Sequence, residues 1–124
     1  MNFILSAVAV IFLKTAADHK SATPEEKKKA LAAEISAAEK SKDAVLQKGA
    51  YAHYLALFPE GEKSYEVRYQ MAYLDYQQKN FREAATSFNI LAKTKEGKSD
   101  LRKKSADLSL DSLVQMKFEE SLED

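Results

Sequence analysis

Residues 64–97 read SYEVRYQMAYLDYQQKNFREAATSFNILAKTKEG, and this stretch decides the fold. Val67, Met71, Ala72 and Leu74 recur at helical spacing. After a tight Lys79-Asn80 connection a second apolar series follows at Phe81, Ala84, Ala85, Phe88, Leu91 and Ala92. Residues three and four apart share one face of an α-helix, so the stretch predicts two helices joined by a short turn, each with one face to bury. Ser64 is the expected N-cap of the first helix, which ends near Gln78.

Downstream, the polar stretch Thr94 to Asp100 contains Gly97 and offers a cap at Ser99 or Asp100. A last helix is expected with Leu101, Ala106, Leu108, Leu110, Leu113, Val114 and Phe118 as its apolar residues. Upstream, a helix through Leu46, Ala50, Tyr51, Tyr54, Leu55 and Phe58 stops at Pro59-Glu60-Gly61, where proline cannot continue it and glycine permits the reversal. Before it, Thr23-Pro24-Glu25-Glu26 combines a threonine cap, a proline at the first helical position and a glutamate three residues on, a capping box. The helix it opens carries Leu31, Ile35 and Ala38 on one stripe, with Lys27, Lys28, Glu34 and Lys40 on other faces, and lapses around Ser41-Lys42-Asp43.

Composition agrees. Glycine occurs 3 times and proline twice, against roughly 12% of average usage for the two together, and so few turn residues argue against a sandwich, a barrel or a doubly wound sheet. The five fall as punctuation: Pro24 starts a helix, Pro59 and Gly61 close one hairpin, Gly97 closes the next, and Gly49 alone lies inside a helix. Tyr51 precedes Phe88 by 37 residues and Leu55 precedes Ala92 by 37. A period in the thirties built from two helices belongs to helical solenoids.

On these residues the chain resembles the tetratricopeptide repeat family. Met71-Ala72 followed by Phe81, Ala84, Phe88 and Leu91 is similar to its pattern of a large-small pair in the first helix and an aromatic, alanine, aromatic and apolar series in the second. Ala72 and Ala84 permit close helix crossing, and Phe81 and Phe88 fill the space beside it. The stretch from Tyr51 to Gly61 resembles the ending of a second helix in bacterial cell-envelope members, of the Tol-Pal-associated and outer-membrane-assembly type. The resemblance covers about residues 24 to 117. Asp75 stands where an aromatic is usual, with Tyr76 beside it, and Glu96 stands where proline is common. It implies an all-α, right-handed solenoid of about six helices in antiparallel hairpins, and a bacterial periplasmic or cell-envelope location, the alternative being cytoplasmic. The domain plan that follows is an apolar N-terminal helix over 1–20, a repeat domain over 21–118 and an acidic tail over 119–124.

The function expected is a non-catalytic interaction module that binds a peptide or protein. In the resemblance, first helices line a concave groove, and the groove-facing positions of the central repeat are Glu66, Tyr69, Tyr73, Tyr76 and Gln77. Tyrosine suits such a surface because it offers large area, few rotors and a hydroxyl; the competing reading makes these rings filler between hairpins. No catalytic, cofactor or metal site is expected. Cysteine is absent, the two histidines, His19 and His53, have no partner at ligand spacing, and no phosphate-binding or nucleophile motif occurs. Both histidines are expected to titrate normally.

Lys+Arg and Asp+Glu each total 19, so no net charge pulls the chain toward nucleic acid. The charge is nevertheless uneven. Lys93 to Lys104 holds six bases and two acids (6 − 2 = +4), and Asp107 to Asp124 holds six acids and one base (1 − 6 = −5). Phe3 to Leu13 is an apolar run interrupted by Ser6, shorter than the roughly 20 residues of a membrane-spanning helix. No lysine or arginine precedes it, and Lys14-Thr15-Ala16-Ala17 supplies only a weak cleavage site, so a buried helix, a targeting peptide and a membrane-surface anchor all stay open. Membrane contact, if any, is expected only through residues 3–13. A structural bundle that self-associates or attaches to a membrane through this helix is the alternative function.

Overall fold

A computed structural model describes residues 2–123, with side chains described for 7–122. The described residues form an all-α chain of six helices with no strand: α1 (Asn2–Asp18), α2 (Pro24–Ser41), α3 (Ala44–Leu57), α4 (Glu62–Gln77), α5 (Phe81–Lys93) and α6 (Ser99–Glu123). They divide into two compact units, Met1–Pro59 and Glu60–Asp124, with three helices each.

In the first unit the capping box forms as its sequence predicts. The Glu26 backbone N–H donates to Thr23 Oγ1 at 3.1 Å and the Thr23 N–H donates to Glu26 Oε1 at 3.0 Å. α2 ends in a left-handed residue, Lys42 at φ 59°, and the Asp43 carboxylate caps α3 by accepting from the Leu46 N–H. The buried stripe on α2 is Leu31, Ile35 and Ala38, joined by Glu34, and that on α3 is Ala50, Tyr51 and Tyr54. Glu34 was expected on an outer face but is 1% exposed, because His53 of α3 lies opposite it. α2 and α3 run antiparallel: the Tyr51 hydroxyl donates to Glu39 at 2.7 Å, and the Lys28 ammonium stands 5.0 Å above the Phe58 ring. Of the described side chains of α1, Val10 and Ala17 are buried while Val8, Ile11 and Phe12 face outward.

In the second unit Gly61, at φ 117°, turns the chain into α4. Ser64 therefore lies inside the helix rather than at its cap, and its buried hydroxyl donates to the Glu60 carbonyl. The core is Tyr65, Ala72, Ala84, Phe88 and Leu91, against which Tyr69, Tyr76, Leu101 and Leu108 pack. α4 and α5 are antiparallel: the Tyr65 hydroxyl at the start of α4 donates to the Leu91 carbonyl at the end of α5 at 2.7 Å, and Tyr76 meets Phe81 edge-on at 5.6 Å. Two left-handed φ angles, at Lys42 and Lys79, give the tight turns their reversals.

α6 departs most from expectation. Its buried face is not the leucine stripe but Ser105, Ser109 and Ser112, flanked by half-buried Leu101 and Leu108. Leu110, Leu113, Val114 and Phe118 are exposed. Serines three and four apart bring α6 close to α5, where the Ser109 hydroxyl donates to the Ala85 carbonyl at 3.0 Å. The helix also continues through the acidic stretch expected as a tail, to Glu123.

The two glycines outside the Gly61 turn carry opposite predictions. A Cβ on Gly97 would fall inside the Tyr65 ring, which is buried and hydrogen-bonded and has nowhere to move. A Cβ on Gly49, inside α3, meets nothing within 4 Å. Gly97→Ala should therefore lower stability by about 1–3 kcal/mol, as overpacking does, and Gly49→Ala should raise it by about 0.5–1 kcal/mol through helix propensity. Denaturant melts of the two variants beside wild type measure both signs.

Candidate functional site

In the second unit, α4 and the start of α6 enclose a cleft of about 410 Å³ lined by Glu66, Tyr69, Gln70, Lys98, Asp100, Leu101 and Lys104. Tyr69 and Leu101 also pack on the core and form its apolar part. The polar part comes from α4, from α6 and from the loop between α5 and α6, where Lys98 Nζ sits 2.9 Å from Glu62 and 3.9 Å from Glu66. The hydrogen bond to Glu62 and the nearby Glu66 charge hold the Lys98 ammonium above the usual lysine value.

From the cleft the tyrosines continue along α4 as a ladder. Tyr69 stacks on Tyr73 at 6.3 Å between centroids, and Tyr73 meets Tyr76 at 6.0 Å. Tyr69 also meets Phe88 edge-on at 5.6 Å, and the Tyr76 hydroxyl hydrogen-bonds Asp111 of α6. Burial, and then its tyrosine neighbours, raise the Tyr69 phenol, while the bond to Asp111, and then burial, raise that of Tyr76. Both rings are thus tied to α5, and Tyr76 to α6 as well. Tyr73 is the most open of the three at 37% exposed.

Of the five expected groove residues, Glu66 and Tyr69 line the cleft, Tyr73 and Tyr76 extend the ladder beyond it, and Gln77 is exposed at the end of α4. Sequence reading did not single out Gln70 or the α6 side, Lys98, Leu101 and Lys104. The signal for that side was the basic cluster of 93–104, which lacked only a place opposite α4.

A second cluster lies in the first unit. His53 Nδ1 is 2.7 Å from Glu34 Oε2, and His53 Nε2 is 2.7 Å from Asp18 Oδ1, so one imidazole joins α1, α2 and α3. Two carboxylate oxygens facing two ring nitrogens call for a donor at each contact, which imidazolium supplies. Burial works to lower the His53 value, but the hydrogen bonds to Asp18 and Glu34 outweigh it and the net shift is upward. Burial likewise lifts Glu34, against the pull of His53 and Lys14. His53 therefore does not titrate as an ordinary histidine. The carboxylates bracket the ring instead of converging on one point, and among the described residues no group of three or more His, Cys, Asp or Glu is placed to hold a metal. No described helix is long and apolar enough to cross a membrane.

Compared with known proteins, the chain matches no family model, no curated protein and no solved structure.

The histidine bridge predicts a pH dependence with a definite sign. A group whose folded value is raised above its usual 6.5 stabilises the fold fully below that value and ceases to as pH rises through the folded one. The raised Glu34 acts in the same direction. Thermal melts between about pH 6 and pH 9 should show α1–α3 losing stability with rising pH, and His53→Gln should be less stable at pH 6 and flatter across the range. Parallel slopes for wild type and variant would sever the link to His53.

Proposed function

We propose that the chain is a non-catalytic interaction module of the tetratricopeptide-like kind, its helices forming successive antiparallel hairpins of a right-handed solenoid, with the cleft between α4 and α6 seating an extended peptide. The observation that carries this reading is the cleft itself, which lies between a first helix and the next first helix in the repeat scheme and is lined by Glu66 and Tyr69. Supporting it, α5 bonds to α4 through Tyr65 and Leu91 and to α6 through Ala85 and Ser109, the succession a hairpin repeat requires. Ala72 and Ala84 lie in the core beside Phe88, where small residues let helices approach.

The chemistry of the cleft defines the ligand further. In the tyrosine ladder Tyr73 is exposed and Tyr69 and Tyr76 are half-buried, a surface suited to the apolar side chains of a peptide. Lys98 and Lys104 suit one acidic residue or a terminal carboxylate, while Glu66 and Asp100 in the same lining balance their charge and disfavour a run of acids. Lys98 already neighbours Glu62 and Glu66, so a peptide carboxylate would compete with those carboxylates for it while meeting Lys104 directly. By the same resemblance, the proposed setting is a bacterial cell envelope.

Peptides selected on the full chain from a random displayed library test this reading. They should share one acidic residue or a free terminal carboxylate beside apolar residues, and Tyr73→Ala and Lys104→Glu should each weaken their binding about tenfold or more, equivalent to about 1.4 kcal/mol, with melting temperatures within about 2 °C of wild type. A large fall in melting temperature at unchanged affinity would make Tyr73 a packing residue and overturn its proposed role.

A further inference from the structure

The two ends of the chain each leave an apolar helix face uncovered by their own unit. On α1, Val8, Ile11 and Phe12 are exposed, Phe12 at 72%, and with Ala16, Ala22 and Ala30 they line an open groove of about 790 Å³ against the start of α2. On α6, Leu110, Leu113, Val114 and Phe118 form a stripe at spacings of three and four, Phe118 at 59% exposed. A ridge of this spacing is what a groove between two helices receives.

Charge distinguishes the two surfaces. The α6 stripe is flanked by Asp107 and Glu120 against the single base Lys117, while Asp111 is held by Tyr76 of α4 and Glu119 lies on the opposite face. Around the α1–α2 groove, Lys20 lies between the lining residues His19 and Ser21, and Lys27 and Lys29 adjoin the lining residues Glu26 and Ala30. Of the acids of that rim, Asp18 is engaged by His53 and Glu26 by the Thr23 backbone in the capping box, which leaves Glu25 against the three lysines. Pairing α6 with α6 would set acid against acid, and pairing groove with groove would set lysine against lysine. Pairing α6 with the groove sets unlike charges together around matched apolar surfaces.

We infer that the occupant of the α1–α2 groove is α6 of a second copy of this chain, giving head-to-tail self-association. Such a contact is heterologous: each copy keeps one free groove and one free ridge, so assembly continues beyond two copies unless the geometry closes a ring. This surface is separate from the cleft between α4 and α6, and the inference stands whether or not that cleft takes a peptide.

The test is sedimentation of the full chain from about 5 to 500 µM, with charge-reversed variants at exposed rim positions. Wild type should grow with concentration and dissociate as salt rises from about 50 to 500 mM. Lys20→Glu/Lys29→Glu and Asp107→Lys/Glu120→Lys should each stay monomeric, with wild-type helicity by circular dichroism. An equimolar mixture of the two should associate again, because each supplies the charge the other lost. A symmetric α6 dimer would instead leave Lys20→Glu/Lys29→Glu fully associated, and that result overturns the inference. So does a chain that is monomeric throughout, whether inert or binding vesicles of phosphatidylcholine and phosphatidylglycerol through α1.

Discussion

The second unit depends on one buried ring. Tyr65 enters the core at the first turn of α4, donates its hydroxyl to the last turn of α5 at Leu91, and covers Gly97 just before α6 begins. One side chain thus fixes the separation of α4 and α5 at their open end and the path of the chain into α6. The Leu91 carbonyl also accepts the N–H of the C-cap residue Thr94, so the Tyr65 hydroxyl takes the second acceptor position of a helix-end carbonyl. The absence of a side chain at residue 97 lets the ring lie against the backbone.

The cleft follows from that arrangement. With α5 held against α4 by Tyr65, and α6 held against α5 by the serine face and the Ser109 to Ala85 bond, α4 and α6 stand on the same side of α5. Toward their C-terminal halves they are joined by the Tyr76 to Asp111 hydrogen bond, and toward their N-termini they part to form the cleft. The tyrosines are therefore neither wholly filler nor wholly surface. Tyr69 and Tyr76 pack against Phe88 and Phe81 and stay half-buried. That division of a ring between core and solvent is how an amphipathic aromatic serves packing and recognition together. In the first unit the equivalent joint is polar: His53 joins three helices through two charge-assisted hydrogen bonds, which makes that unit responsive to pH.

Helix positions were legible because periodicity and punctuation agree. Thr23-Pro24, Pro59 to Gly61 and Lys79-Asn80 each mark a boundary that the backbone respects, and the α5 stripe of Phe81, Ala84, Ala85, Phe88 and Leu91 is buried throughout. Which face of α6 is inward was not legible. Apolar content favoured Leu110, Leu113 and Val114, yet the proximity of α5 selects side-chain size over hydrophobicity, and the serines win that position by making a close approach and a hydrogen bond. Glu34 was misplaced for a related reason: a carboxylate reads as outward until a histidine nineteen positions on is brought opposite it. Half of the cleft was legible as a tyrosine stripe and half only as a run of bases, since α4 and α6 meet across the intervening α5 and through contacts distant in sequence, such as Tyr76 to Asp111.

The central claim is that the space between α4 and α6 is a peptide seat. Backbone amide spectra of the isotope-labelled full chain, recorded while a selected peptide is titrated in, test it most directly. A peptide seated there should produce saturable shifts concentrated in residues 66–76 and 98–104, with α2 and α3 unmoved. Saturable shifts confined to α1–α3, with residues 66–76 and 98–104 unchanged, would contradict it.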